Sequence, residues 1–484
     1  MKFSEVTQEM NMNVQNDFEV EGIAIDSREV KQNYIFFGLK GEKLDGADYV
    51  ETAIKNGAKA IFTESAIKLN NININGVVLS SGEDAQRKLN LIAQRFFSPL
   101  PENLIAVTGT NGKTSVANFT ASLLSMLGQP SASIGTLGTL LDGDFEKQFS
   151  YSGLTSPDII TLLKDLRDLK NKGVDSAVME TSSHGLHQKR MGNLKFKVAG
   201  FTNFTQDHLD YHKSMKDYFE AKMLLFNHHL EKHGCTVVNA DIPEFEKINN
   251  ICDIQKLKVI SYGKNGKDIK IKNISPHDNG LDIDVEITGK NKTIRTGLVG
   301  EFQAYNVLCA IGNVIALGFN ADKVCEAANK LRSVKGRMDV IPYKKKNAKI
   351  VIDYAHTPDA LEKAIDSLRI HTSGRLITLF GCGGDRDKTK RPLMGKIAAA
   401  KSDMVIVTDD NPRTENAANI RKDILVVAQK AIEVPGRKEA IAHAISLLES
   451  GDSLLLAGKG HEDYQIIGKE KFPFDEFKIV RELI

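Results

Sequence analysis

The sequence predicts an α/β fold in three domains. These are a central, P-loop-type, mostly parallel sheet flanked by helices with appended antiparallel hairpins, a C-terminal Rossmann-like α/β domain, and a small N-terminal α/β domain. Three observations carry this expectation. The length of 484 residues corresponds to about three domains of ordinary size. Short apolar runs alternate with helical patterns through the central and last parts of the chain, as they do where helices connect parallel strands. Each of those runs leads straight into polar or glycine-rich residues, and open parallel sheets bind ligands outside the carboxyl ends of their strands.

The first element that the pattern marks clearly is a helical stretch from Asp84 to Phe97, interrupted by the prolines of Ser98-Pro99-Leu100-Pro101. Proline there places a boundary, so residues 1–98 form the first domain. A Lys-Gly-Arg segment within Arg332 to Pro342 follows a helical stretch and precedes a new strand, dividing residues 99–334 from 335–484. The strands read from the apolar runs end at Val107, Met179, Thr202, Ile352, Phe380, Val407 and Ala457. The segments that follow are GTNGKTS, ETSSH, NFTQDHLDYH, DYAHTPD, GCGGDRDK, DDNPR and GKGHE. Seven such loops imply two facing sheets with a shared cleft. Between Ile269 and Val299 residues alternate and are broken by Asp278-Asn279-Gly280 and Gly289-Lys290-Asn291, which reads as antiparallel hairpins.

Composition excludes several classes. With 64 basic residues against 62 acidic ones and a net charge of +2, the chain has no electrostatic footprint for nucleic acid. Five scattered cysteines without a C-x-x-C pair argue against a disulfide framework and structural zinc. No eighteen apolar residues run together, and the first residues lack a signal-peptide core, so the expectation is a cytoplasmic protein without membrane insertion; a monomer is expected as well.

The chemistry begins at Gly109-Thr110-Asn111-Gly112-Lys113-Thr114-Ser115, which follows the strand Leu104 to Val107 and opens a helix with apolar Val116, Phe119, Leu123 and Leu127. Glycines there let backbone N–H groups approach phosphate oxygens, the helix terminus adds positive potential, Lys113 neutralises the outer phosphates, and Thr114 can offer its hydroxyl to magnesium. Val107 stands where the general pattern has glycine, so the loop is a variant. Glu180 closes an apolar strand from Val174, and His208 lies in Asp207-His208-Leu209-Asp210-Tyr211-His212 after another. Each alone also reads as a satisfied polar residue at a strand end; a shared crevice favours function. His184 with His187 and His208 with His212 suggest zinc superficially, but carboxylate, hydroxyl and phosphate ligands suit a hard cation, and magnesium is expected.

VTGTNGKTS, METSSHGLHQKR, TNFTQDHLDYH, YFEAKMLLF, GRMD, DYAHTPDAL, GCGGDRDKTKRPLMG, TDDNPRTE and GKGHEDYQ, in that order, closely resemble the Mur ligase family of cell-wall peptide synthetases. The resemblance covers nearly the whole chain. It implies that ATP phosphorylates an acceptor carboxylate, that an amine attacks the acyl phosphate, and that the tetrahedral intermediate expels phosphate. It also implies two magnesium ions held by Thr114, Glu180, His208 and a carbamylated Lys222, although Lys222 in Tyr218-Phe219-Glu220-Ala221-Lys222 otherwise reads as a solvated helix lysine. For ATP the resemblance points to Asn306 near the base and to Arg337 and Asp353 on the phosphate and ribose side; Gln303 departs from the family's frequent asparagine.

For the acceptor, UDP-N-acetylmuramoyl-L-alanyl-D-glutamate, the resemblance points to Ile25 and Ser27, to Glu42, Lys43 and Leu44 lining the uridine pocket, and to Thr155, Ser156, Ser182, Gln188 and Arg190 on the sugar and peptide. Asp410-Asn411-Pro412-Arg413 matches the members that add meso-2,6-diaminopimelate, with Arg386, Gly458 and Glu462 as companions. That amine carries a distal carboxylate that L-lysine lacks, which Arg413 can bind bidentately. Gly458 and Glu462 are expected to receive the reactive ammonium end. Closure of the C-terminal domain over ATP is expected to exclude water from the acyl phosphate. The rivals are an L-lysine-adding ligase of the same mechanism, a folate-directed one, and, from another class, a nucleotide-gated binding protein with one magnesium.

Overall fold

The computed structural model describes residues 1–8, 10, 17–41, 44–67, 69, 74, 76–209, 211–277 and 280–484. Glu42, Lys43, Asp210, Asp278 and Asn279 lie outside them. Three of the four sheets among the described residues build three α/β domains, and the fourth only pairs Tyr464–Ile467 with Glu470–Pro473. The first is parallel throughout, with strands Gly22–Ala24, Tyr34–Gly38, Ala58–Thr63 and Val78–Ser81 in chain order.

The central sheet has eleven strands. Its strand Asn103–Thr108 lies between Phe196–Phe201 and Ser176–Glu180, all parallel. Register sets the site: Val107 pairs with Glu180 and Thr108 with Phe201, so the segments after these strands emerge side by side. Glu180 is thus the last residue of its strand rather than the first beyond it, and Phe201, not Thr202, ends the next. The expected hairpins are present as Ile269–His277, Gly280–Ile287 and Lys290–Thr296. They are an edge of the same sheet, because Tyr262 pairs with Ile269 and Gly263 with Lys270. The opposite edge carries another antiparallel pair, Gly138–Leu141 and Gln148–Ser150, which the apolar pattern did not reveal.

The third sheet places Ala348–Asp353, Ser453–Ala457, Leu376–Phe380 and Met404–Val407 in parallel succession. Asp353 and Phe380 both pair with Ala457, which again levels the strand ends. The helix Ala85–Phe96 and the helix Ile159–Asn171 contribute to one continuous core, in which Phe37, Phe62, Leu89 and Ile92 join Leu162, Leu166 and Met179. A separate core covers the other face of the central sheet, where the helix Glu301–Ala316 packs on Lys113–Met126. All five cysteines are buried free thiols. Among the described residues no helix is long and apolar enough to cross a membrane.

Candidate active site

The loop after Asn103–Thr108 is held from the adjacent strand end. Thr202 Oγ1 donates to Asn111 O (2.6 Å), Asn111 N donates to Asn203 Oδ1 (2.8 Å), and Thr110 N donates to Asn203 O (2.9 Å). Gly109 (φ +143°) and Gly112 (φ +84°) permit this: a Cβ at the first would lie 2.0 Å from Thr202 Oγ1, and at the second 2.4 Å from Asn306 Oδ1. Asn306 therefore sits against the loop, donating to Gln303 Oε1 (3.0 Å). Ser115 and Thr114 are buried in the first helical turn.

Cationic groups converge on the loop carbonyls. Lys113 Nζ donates to Gly109 O (3.0 Å) and Thr110 O (2.7 Å), and Lys222 Nζ to Gly109 O (2.8 Å). Loss of solvent pushes the Lys113 pKa down, against the pull of Glu180. Lys222, 1% exposed, is pushed well below the usual lysine range by burial and then by Lys113. Glu180, 2% exposed, is held above the usual carboxylate range by burial, with Lys113 opposing. Its Oε2 accepts from Thr114 Oγ1 (3.0 Å) and Thr136 Oγ1 (3.2 Å), and its Oε1 from Thr136 N (2.8 Å). His208 adopts φ +54°, with Asp207 Oδ1 accepting from its backbone N–H (2.8 Å). Its ring lies 4.7 Å from that of His184. The histidines form a cluster of tilted and edge-on rings with Tyr211 and Tyr218, and among the described residues no three His, Cys, Asp or Glu side chains form a metal cluster. The donors beside the loop suit magnesium nonetheless: Thr114 and Glu180 present hard oxygens 3.0 Å apart, and this ion uses few protein ligands beside phosphate and water.

A cavity of about 510 Å³ joins Thr110 to Ser115, Glu180, Asp207 and His208 to Asn306, Arg337 and Asp353 to Thr357. Arg337 stacks on the Tyr354 ring (4.4 Å), and its Nη1 is a buried donor without a hydrogen-bond partner. An orphaned guanidinium N–H facing a phosphate loop fits a polyphosphate or ribose ligand. Asp353 accepts from the backbone N–H groups of Met338 (2.7 Å) and Ala355 (2.8 Å), and burial raises its pKa against Arg337.

From Glu180 a line of hydroxyls leads outward: Thr136 Oγ1 lies 3.1 Å from Thr155 Oγ1, and Ser156 Oγ donates to Glu180 O (3.0 Å) and lies 3.1 Å from Ser182 Oγ. Arg190 donates to Ser156 O (2.9 Å) and Gln188 Oε1 (2.5 Å). These five expected residues are brought together. Ile25 and Leu44 are exposed on the first domain and Ser27 is buried there; among the described residues no hydrogen bond links them to the Thr155–Arg190 group.

The seven loops do not all share one cavity. The three after Phe380, Val407 and Ala457 are absent from the cavity lining and form a second cluster. Asn411 Nδ2 donates to Glu462 Oε2 (3.0 Å), Arg413 Nη1 to Gly384 O (2.9 Å), and Asn411 N to Asp410 Oδ1 (2.6 Å). Gly383 has the Arg413 guanidinium and the Arg386 stem on one side, and Gly458 abuts the Asp410 carboxylate. Pro412 precedes Arg413, which adopts φ +49°. The two clusters are neighbours: the His461 ring packs at a tilt against that of Tyr354, 5.1 Å between centroids. Thr136 went unnoticed in the sequence, and Asp207, Tyr354 and the fully buried Lys459 lay in segments that the sequence marked without being given a role themselves. Lys459 had a weak signal in GKGHE.

Residues 107–314 match the Mur ligase middle domain, residues 336–460 the Mur ligase glutamate ligase domain, and residues 19–94 the Mur ligase family catalytic domain. The chain belongs to the Mur ligase family. Among its relatives is the UDP-N-acetylmuramoyl-L-alanyl-D-glutamate--2,6-diaminopimelate ligase of Agrobacterium fabrum (strain C58 / ATCC 33970), 42% identical over 463 residues, covering 96% of this chain and 93% of that protein. The protein of the same name from Zymomonas mobilis subsp. mobilis (strain ATCC 31821 / ZM4 / CP4) is also 42% identical, over 97% of this chain and 96% of its own. A solved structure of a ligase of that name superposes with a TM-score of 0.73 at 30% identity, covering 100% of this chain and 98% of the other. The MurF ligase of Thermotoga maritima in complex with ADP shares the fold, with a TM-score of 0.65 at 20% identity over 91% and 94% of the two chains.

Proposed function

We propose that this protein ligates meso-2,6-diaminopimelate to UDP-N-acetylmuramoyl-L-alanyl-D-glutamate at the expense of ATP. The observation that carries the reading is the position of Glu180, which is hydrogen-bonded by Thr114 of the phosphate loop and by Thr136, itself beside Thr155 of the acceptor group. Phosphate donor and acceptor carboxylate thus meet at one buried carboxylate. The names of the relatives supply the substrates. A carboxylate oxygen attacks the γ-phosphorus, ADP departs, and an acyl phosphate forms. The amine nitrogen then attacks the carbonyl carbon, loses a proton, and phosphate leaves from the tetrahedral intermediate. Phosphoryl transfer needs positioning and charge neutralisation more than covalent help.

Lys113 and Arg337 neutralise the phosphates, and Asn306 and Asp353 orient the nucleoside. Thr114, Glu180, His208 and a carbamylated Lys222 would hold two magnesium ions, which would supply Lewis acidity. Burial beside Lys113 favours the uncharged amine of Lys222, which is the form that adds carbon dioxide. Ile25, Ser27, Glu42, Lys43 and Leu44 hold the uridine end of the acceptor. Arg413 and Arg386 bind the distal carboxylate of the amine substrate, and Asp410, Asn411, Gly458 and Glu462 an ammonium. The domains span residues 1–98, 99–334 and 335–484, and the protein works as a cytoplasmic monomer.

The test compares meso-diaminopimelate and L-lysine in phosphate release dependent on UDP-dipeptide. Arg413→Ala is expected to raise the diaminopimelate KM about 10- to 100-fold, the worth of a charge-assisted hydrogen bond. Equal use of both amines by the unmodified protein rules out the specificity argument, and phosphate release with neither substrate rules out ligation.

A further inference from the structure

Lys459 is 0% exposed, and a lysine so placed needs partners for its ammonium. Its Nζ donates to Asn411 Oδ1 (3.1 Å) and to Glu462 Oε2 (3.0 Å). Asn411 Nδ2 donates to the same Oε2 (3.0 Å), and Asn411 Oδ1 also accepts from Ile466 N (2.9 Å). Lysine, asparagine and glutamate thus close a triangle between the loop after Met404–Val407 and the loop after Ser453–Ala457. Among the described residues both side-chain hydrogen bonds to Glu462 fall on Oε2, which anchors that oxygen and leaves Oε1 available to a ligand. Gly460, the next residue but one before Glu462, abuts Gly336, and its neighbour His461 lies on Tyr354 in the nucleotide wall. The outer side of this loop is therefore fixed by packing and its inner side by Lys459.

We propose that Lys459 is a positioning residue for the amine substrate: its buried ammonium holds Glu462 Oε2 and Asn411 Oδ1 so that Glu462 Oε1 receives an ammonium of the incoming diamine. The inference rests on the reading that Glu462 and Arg413 bind that substrate. Lys459 touches no substrate itself. Removing its charge leaves Glu462 one neutral donor and frees the carboxylate to rotate, so the effect falls on amine affinity.

The experiment measures KM for diaminopimelate, ATP and UDP-dipeptide, kcat and the melting temperature for Lys459→Met, Lys459→Gln, Glu462→Gln, Arg413→Ala and the double variant Lys459→Met/Glu462→Gln. Lys459→Met is expected to raise the diaminopimelate KM about ten-fold or more with the ATP KM nearly unchanged, and the double variant to match Glu462→Gln within about two-fold, as coupled residues do. Lys459→Gln, which keeps a donor at that position, is expected to fall between the unmodified protein and Lys459→Met, and it carries the same comparison if the methionine variant does not fold. If Glu462→Gln and Arg413→Ala raise the diaminopimelate KM while neither lysine variant does, or if the single effects of Lys459→Met and Glu462→Gln add, the proposal is overturned and the amine site stands. If Glu462→Gln and Arg413→Ala also leave that KM unchanged, the amine-site reading falls, and the proposal with it.

Discussion

At Gly109 O two lysines compete for one carbonyl, Lys113 at 3.0 Å and Lys222 at 2.8 Å. Like charges this close disfavour each other, and burial disfavours both, so the pair calls for an anion. On the proposed reading a triphosphate offsets Lys113, and carbamylation would turn the uncharged Lys222 amine into an anion. Lys113→Ala is accordingly expected to lower kcat/KM for ATP by about a hundred-fold or more, the scale of a lost preorganised donor, read from amine-dependent phosphate release. His461 behaves differently. Burial, and then Arg337 and Lys335, hold its pKa down at about 3, below the ~6.5 of an unfolded histidine. The unfolded chain takes up that proton first, so stability is fully present above the unfolded value and is lost as pH falls toward the folded one. His461→Gln is expected to reduce the loss of stability between pH 7 and pH 5 by about 1 kcal/mol, discounted for partial exposure, as measured by urea unfolding.

Elements explain why these side chains meet. The pairing of Val107 with Glu180 and of Thr108 with Phe201 brings three strand ends to one level, and the Gly109 and Gly112 conformations let the loop fold onto Thr202 and Asn306. The helices Ala85–Phe96 and Ile159–Asn171 tie the first domain to the central one through a common core. Leu89, 1% exposed, lies in that core far along the chain from the catalytic loops. Leu89→Ala is expected to cost about 2–5 kcal/mol of stability, the range for a truncated core leucine, with the ATP KM unchanged. Calorimetry with parallel kinetics decides it, and a variant of unchanged stability rejects the common core.

Across the molecule, the cavity is lined by residues of both the central and the C-terminal domains, and Asn111 Nδ2 donates from one to the other at Asp359 Oδ2 (3.4 Å). A ligand in that cavity stabilises both domains at once. An ATP analogue with magnesium at a hundred-fold excess over its Kd is expected to add about 2.7 kcal/mol and, with the UDP-dipeptide, to draw the C-terminal domain inward. Scattering profiles that superpose with and without these ligands reject closure.

The sequence by itself determined the α/β class, the seven strand ends to within one residue and the glycine loop after Val107, because apolar periodicity and glycine spacing are local properties of the chain. The short edge strands Gly138–Leu141 and Gln148–Ser150 escaped it, since segments of three or four residues with few large apolar side chains carry no such pattern. Glu180, His208, Arg413 and Glu462 were legible as polar residues after strands, and resemblance to the Mur ligases gave them roles. Only the tertiary structure divided the seven loops between one cavity and a separate cluster around Asn411, Arg413 and Glu462. It alone placed Thr136 on Glu180, left Arg337 Nη1 without a partner, and buried Lys459 beneath Glu462. Those relations depend on strand register and on packing between segments distant in sequence, which no local pattern encodes.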